Sequence, residues 1–206
     1  METLTMNLIL MRHGQTELNR KGKIQGNNNS HLNSTGNYQA QALASKMQLE
    51  YPKALYTSPI IRAVETAEII GGQVDLIPQS LIGLSEHNVG LLEGLSSKEM
   101  RTKYPDFALD WDLNPQDALP PEGNTLGEIQ EVAWNTILKL NTKHQNESVL
   151  AVSHNFTILC LVAKVLDLPL INYRNFMVSL CSISRLILDS SGNAKLVSLN
   201  ETGHLF

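Results

Sequence analysis

The 206-residue chain has little of several things that would betray a special environment or partner. Its two cysteines, Cys160 and Cys181, sit in apolar segments without metal-ligand spacing. That argues against a cysteine-ligated metal and for reduced core thiols in a cytoplasmic protein. Sixteen Lys and Arg face twenty Asp and Glu, a net charge of −4, and no basic block stands out. Nucleic acid and anionic membrane surfaces are thus poor partners, and any anion must be held in a local pocket. No apolar run approaches a membrane span, and the stretch Met1–Met6 lacks the basic flank of a secretory leader, so neither is expected. Internal repeats and low-complexity tracts are missing too. What remains is ordinary globular composition, 42% apolar and 17% charged, with length enough for one large domain over 1–206.

The chain is organised around Leu8-Ile9-Leu10-Met11-Arg12-His13-Gly14-Gln15-Thr16-Glu17-Leu18-Asn19. Four apolar residues bounded by polar ones read as a buried strand. A strand stopping at Arg-His-Gly delivers a cation and an imidazole to the carboxyl end of a sheet, where α/β folds keep their ligands. Gly14 allows a sharp turn and a close approach to a ligand. His13 is expected to be a nucleophile and Arg12 to grip the phosphate it attacks.

A Gly- and Asn-rich loop containing Gln25 and Gly26 follows, then a helix with Ala40, Leu43, Ala44 and Met47 on one stripe. Ala54–Thr57 is the next predicted strand, with Ser58 capping a helix that opens at Pro59 and runs towards Gly71. Arg62 lies in the first turn of that helix, where free N–H groups also favour an anion. Leu81–Leu84 reads as a short strand that presents Glu86 as a proton donor, with His87 at the pocket rim or on the surface. A polar helix over 97–104 stops at Pro105, and proline-punctuated chain continues to Gly123. The segment of about 90–123 reads as a lid or substrate wall. Thr125 opens a helix with Leu126, Ile129, Ala133, Ile137 and Leu140 on one face. Ser148–Val152 is a second apolar strand ending at a histidine, His154. A buried helix over 156–166 and a closing hairpin complete the pattern. The alternation predicts an α/β fold, a three-layer α/β/α sandwich around a mostly parallel sheet.

Arg12-His13-Gly14-Gln15-Thr16 with Asn19 resembles the signature of the histidine phosphatase (phosphoglycerate mutase-like) superfamily. Ser58 to Ala67 resembles its second motif, Glu86 to Gly94 its acid-bearing segment and Val152-Ser153-His154 its last. The resemblance implies a phosphoglycerate mutase-like fold and a phosphohistidine formed on His13. Arg12, Arg62, His154, Asn19 and loop amides near Gln25 and Gly26 would form the phosphate pocket, with Glu86 as acid and then base. Two positions depart from the pattern. Asn155 stands where many relatives have Gly and places a side chain at the pocket wall; Asn29 stands where many have Asp.

The implied activity is a metal-independent phosphomonoesterase of a small phosphorylated metabolite: a sugar phosphate, phosphoglycerate or phosphoserine, or α-ribazole phosphate. No cofactor is expected, and the resemblance allows a homodimer through a sheet edge. The alternatives are a 2,3-bisphosphoglycerate-dependent mutase and a silent phosphate-binding relative. A zinc site of His13, His154 and Glu86 is disfavoured because neighbouring arginines would repel the ion.

Overall fold

Leu8, Ile9, Leu10 and Met11 lie in a strand, β1 (Thr5–Arg12), and serve two cores at once. Leu8 and Leu10 join one apolar cluster and Ile9 and Met11 the other, because successive side chains of a strand point to opposite faces. A strand covered on both faces is apolar throughout, so this run does not alternate. The computed structural model describes residues 4–206; the first three residues of the Met1–Met6 stretch lie outside the described residues.

A short helix α1 (Glu17–Arg20) and α2 (Ser34–Met47) follow, then β2 (Ala54–Thr57), α3 (Ile61–Val74) and β3 (Gln79–Ser80). Helices α4 (Ser97–Lys103), α5 (Pro105–Leu113) and α6 (Leu126–Lys143) lead to β4 (Ser148–Ser153) and α7 (Asn155–Val165). Strands β5 (Ile183–Asp189) and β6 (Ala194–Glu201) close the chain as a hairpin. The six strands run in the order β3-β2-β4-β1-β5-β6. The β3-β2-β4-β1 half is parallel, and β5 and β6 are added antiparallel. Helices α2 and α3 pack on one face through Ala40, Leu43, Met47, Ala63, Ala67 and Ile70. On the other face α6 and α7 contribute Ala133, Ile137, Leu140, Ile158 and Val162. The expected α/β/α sandwich is what forms.

Three local expectations are corrected. Leu81–Leu84 is not a strand: β2 ends at Thr57, so only Gln79 and Ser80 find a ladder partner. The chain turns in a 3-10 helix over Ile82–Leu84 instead, with Gly83 pressed on α6 where an added Cβ would lie 2.0 Å from Thr136 Oγ1. Ser58 does not cap α3, which begins at Ile61 after an extended Ile60 and passes Gly71 to Val74. Pro105 does more than stop α4; it occupies the first turn of α5, where its missing N–H costs nothing.

Candidate active site

The parallel ladder sets the site. Arg12 pairs with Ser153 in register, so His13 and His154 leave neighbouring strand ends side by side. The His13 amide continues the ladder to Ser153 O at 3.1 Å, and the two imidazole centroids stand 5.1 Å apart. Ser58 leaves the third strand end, its amide bonded to Val152 O.

His13 Nδ1 lies 2.7 Å from Gly14 O. A carbonyl only accepts, so Nδ1 carries the proton and Nε2 keeps its lone pair. Arg62 Nε donates to that Nε2 at 3.1 Å. Burial, reinforced by the Arg62 and Arg12 charges, holds the His13 pKa well below the usual imidazole range. The surroundings therefore favour the neutral ring, with Nε2 as its acceptor atom.

Arg62 is 1% exposed, and its remaining nitrogens donate to Gly26 O at 2.7 Å and Asn28 O at 2.8 Å. Burial lowers its pKa to about 10, which leaves it cationic. Arg12 donates Nη1 to Val178 O at 2.6 Å, while its Nε is buried without a partner. His154 Nε2 lies 2.7 Å from Ser58 Oγ, and its Nδ1 is likewise buried and unpartnered. Burial first, then Arg62, keeps His154 well below the ordinary value. Glu86 Oε1 accepts from the amides of His87 at 2.9 Å and Phe156 at 3.1 Å. Burial raises its pKa, against the pull of the His87 amide and the two arginines.

These groups face a cavity of about 160 Å³ that Arg12, His13, Arg62 and Glu86 line together. Asn19, Gln25, Gly26 and Asn155 line it as well, so the sequence-based set converges on one place. His154 is fully buried and is not part of that lining; its ring sits behind it, 5.1 Å from that of His13. Gly26 has φ of +55°, and a Cβ there would lie 2.6 Å from Val89 Cγ2, so this wall needs glycine. The close approach expected of Gly14 is to backbone rather than ligand: a Cβ would lie 2.6 Å from Gly36 O. Asn29 is exposed and outside the cavity, so that departure from the family pattern does not reach it. A larger groove of about 400 Å³, beside Gln116, Glu128 and Trp134, holds neither histidine nor arginine. Among the described residues no three His, Cys, Asp or Glu side chains are gathered as metal ligands, and no helix is long and apolar enough to cross a membrane.

Of the two places expected for His87, the pocket is where it lies: it lines the cavity, 1% exposed, stacked on Trp111 and bonded through Nε2 to Asn124 O at 2.6 Å. Sequence reasoning missed two other participants. Lys23 and Phe156 also line the cavity. A lone His beside a Glu carries no local sign of burial, because its cover comes from chain far ahead. Ser58 was visible as a strand-end serine, but its partner is 96 residues away.

Burying neutral imidazoles has a stability consequence. Unfolded, His87 takes a proton near pH 6.5; folded, burial delays this to about 4. His13 and His154 are shifted in the same direction. The unfolded chain therefore gains protons first as pH falls, and stability declines from pH 6.5 downward, by about 3 kcal/mol at pH 4 from His87 alone. Glu86, raised, works the other way as one group against three. Urea unfolding at pH 7 and pH 5 should show a clearly lower midpoint at pH 5; equal midpoints would contradict neutral burial of these rings.

The fold and the cavity define a class: an α/β/α protein with paired imidazoles at parallel strand ends and buried guanidinium groups beside them. The chain belongs to the histidine phosphatase superfamily (branch 1), whose model matches residues 8–202. A metal-independent phosphoserine phosphatase of Arabidopsis thaliana is 32% identical over 157 residues, 74% of this chain and 66% of that protein. A 2-carboxy-D-arabinitol-1-phosphatase of Triticum aestivum is 34% identical over 183 residues, 86% of this chain. The match spans just under two thirds of the length of the Arabidopsis protein, 66%, and about a third of the wheat one, 36%. The solved structure of Bacillus stearothermophilus YhfR superposes with a TM-score of 0.91 at 27% identity, covering 98% of this chain and 100% of that one.

Proposed function

We propose that the chain is a metal-independent phosphomonoesterase of a small phosphorylated metabolite, working through a phosphohistidine on His13. The observation that carries this is the His13 ring: Nδ1–H is fixed on Gly14 O, and the Nε2 lone pair faces the Arg62 guanidinium. In the first step Nε2 attacks phosphorus, the P–N bond forms as the ester P–O bond breaks, and Glu86 gives its proton to the leaving oxygen. In the second, water attacks phosphorus, Glu86 takes a proton from it, the P–N bond breaks and phosphate leaves. Arg12 and Arg62 hold the phosphoryl oxygens as charged donors, and stabilisation of this kind is commonly the largest single contribution to rate. Ser58 can donate its hydroxyl to His154 Nε2, which leaves Nδ1–H to bind phosphate. Asn19, Gln25, Asn155 and the Gly26 backbone complete the pocket.

Phosphate release with EDTA present tests the reading, using p-nitrophenyl phosphate and a panel that includes phosphoserine, sugar phosphates and 3-phosphoglycerate. The expected result is undiminished release in EDTA. Loss of release in EDTA would sink the metal-independent mechanism. Formation of 2-phosphoglycerate only when 2,3-bisphosphoglycerate is added would make the chain a mutase instead.

Glu86→Gln separates the acid role from mere structure. A nitrophenolate leaves without a proton, whereas an alkoxide does not. The variant should lose about 10²–10⁴-fold on alkyl esters and far less on the nitrophenyl ester. Equal losses on both would remove Glu86 as the acid.

A further inference from the structure

Beside the phosphate cavity lies a second space of about 180 Å³, and Ile24, His87, Val89 and Phe156 are walls common to both. Its remaining lining is Leu92, Met100, Phe107 and Trp111, with Ser97. No charged side chain faces it. The Trp111 indole N–H is already given to Tyr173 Oη at 2.9 Å, so the ring offers carbon rather than a donor. Trp111 stacks parallel on His87 at 5.7 Å and meets Phe156 edge-on at 5.5 Å, a rigid aromatic wall. Lys23, which lines the phosphate cavity but not this second space, is paired with Glu99 Oε2 at 2.6 Å.

One polar atom is unused in this wall. His87 Nε2 faces Asn124 O and so carries the ring proton, which leaves Nδ1 as a bare acceptor. That Nδ1 is buried with no partner, on a residue 1% exposed that borders both spaces. A buried acceptor in an apolar wall favours a ligand that brings one donor and disfavours one that brings another acceptor.

Resting on the phosphomonoesterase reading, we propose that the leaving alcohol is bulky and apolar or aromatic, carries one N–H or O–H donor for His87 Nδ1, and carries no carboxylate. The substrate class differs from that named for the phosphoserine phosphatase relative.

The experiment uses the full chain and unactivated alkyl esters, so that leaving-group reactivity is matched: 2-phenylethyl phosphate, 2-(indol-3-yl)ethyl phosphate, its N-methyl indole analogue and phosphoserine. Both aromatic esters should exceed phosphoserine in kcat/KM by at least about tenfold. The N-methyl analogue, which has lost the donor, should fall below the parent indole ester. Met100→Glu should shrink the ratio of phenylethyl to phosphoserine turnover, a readout that simple loss of folded protein cannot move because both rates would drop together. Preference for phosphoserine, or an unchanged ratio in Met100→Glu, overturns the inference while leaving the phosphatase reading intact. If no ester, p-nitrophenyl phosphate included, is hydrolysed, it is the underlying activity that fails.

Discussion

His13→Ala should lower phosphate release by at least about 10⁴-fold, because without the imidazole there is no covalent route and water must attack an ester held only by its pocket. Geometry, more than residue type, singles out this imidazole. Nδ1 is committed to Gly14 O, which fixes ring orientation and tautomer, and Nε2 is the atom that Arg62 approaches. The fold should persist, since the ring borders a cavity that water can enter and no core cluster depends on it. Rapid acid-free quenching of wild type with a slow substrate should trap an acid-labile, base-stable phosphoprotein that is missing in the variant. A variant that turns over at the wild-type rate would remove the whole mechanism.

Arg62→Ala should be the second large loss, and it should fall on rate and stability together. One guanidinium serves three acceptors: His13 Nε2, Gly26 O and Asn28 O. Losing a charged donor aimed at a transferring phosphoryl group should cost about 10³-fold in kcat/KM. Leaving the buried Gly26 carbonyl unpaired should cost about 2 kcal/mol of folding free energy, read by urea unfolding. Arg62→Lys separates the two contributions. An ammonium keeps the charge but lacks the planar fork, so it cannot satisfy two backbone carbonyls and an imidazole at once. Its rate should recover by less than a tenth of the loss; full recovery would show that charge alone matters.

The sequence made the two strand-end histidines readable for a physical reason. Leu8–Met11 and Val149–Val152 are buried on both faces, so they stand out as unbroken apolar runs, and whatever follows must emerge at the sheet edge. Arg62 was legible from its place at a helix start just past a strand. Glu86 was located correctly but on the wrong support, because four residues with apolar ends look alike as a strand or a 3-10 turn until a ladder partner is found lacking. Ser58-Pro59 has the pattern of a helix start, and nothing local reveals that the hydroxyl is spent on His154. His87 was legible as a pocket residue but not as a buried one: its burial depends on Trp111 and Asn124, brought in by chain that read only as irregular.

The segment between the acid and helix α6 has one further property. Its ends are stitched together, Leu91 N to Pro121 O at 3.0 Å and Asn124 N to Asn88 O at 3.0 Å. It also carries a small apolar cluster of its own, from Val89 and Leu92 through Phe107 to Ala118. Meanwhile His13, His154, Arg12 and Arg62 are all held by the sheet and α3. The segment is thus closed at its base, yet it also grips the loop beside Arg62, through Ile24 N to Leu95 O at 2.8 Å and Asn27 N to Glu93 Oε1 at 2.7 Å. A change within residues 90–123 is therefore felt at Gly26, whose carbonyl Arg62 holds, so the segment and that guanidinium are mechanically linked.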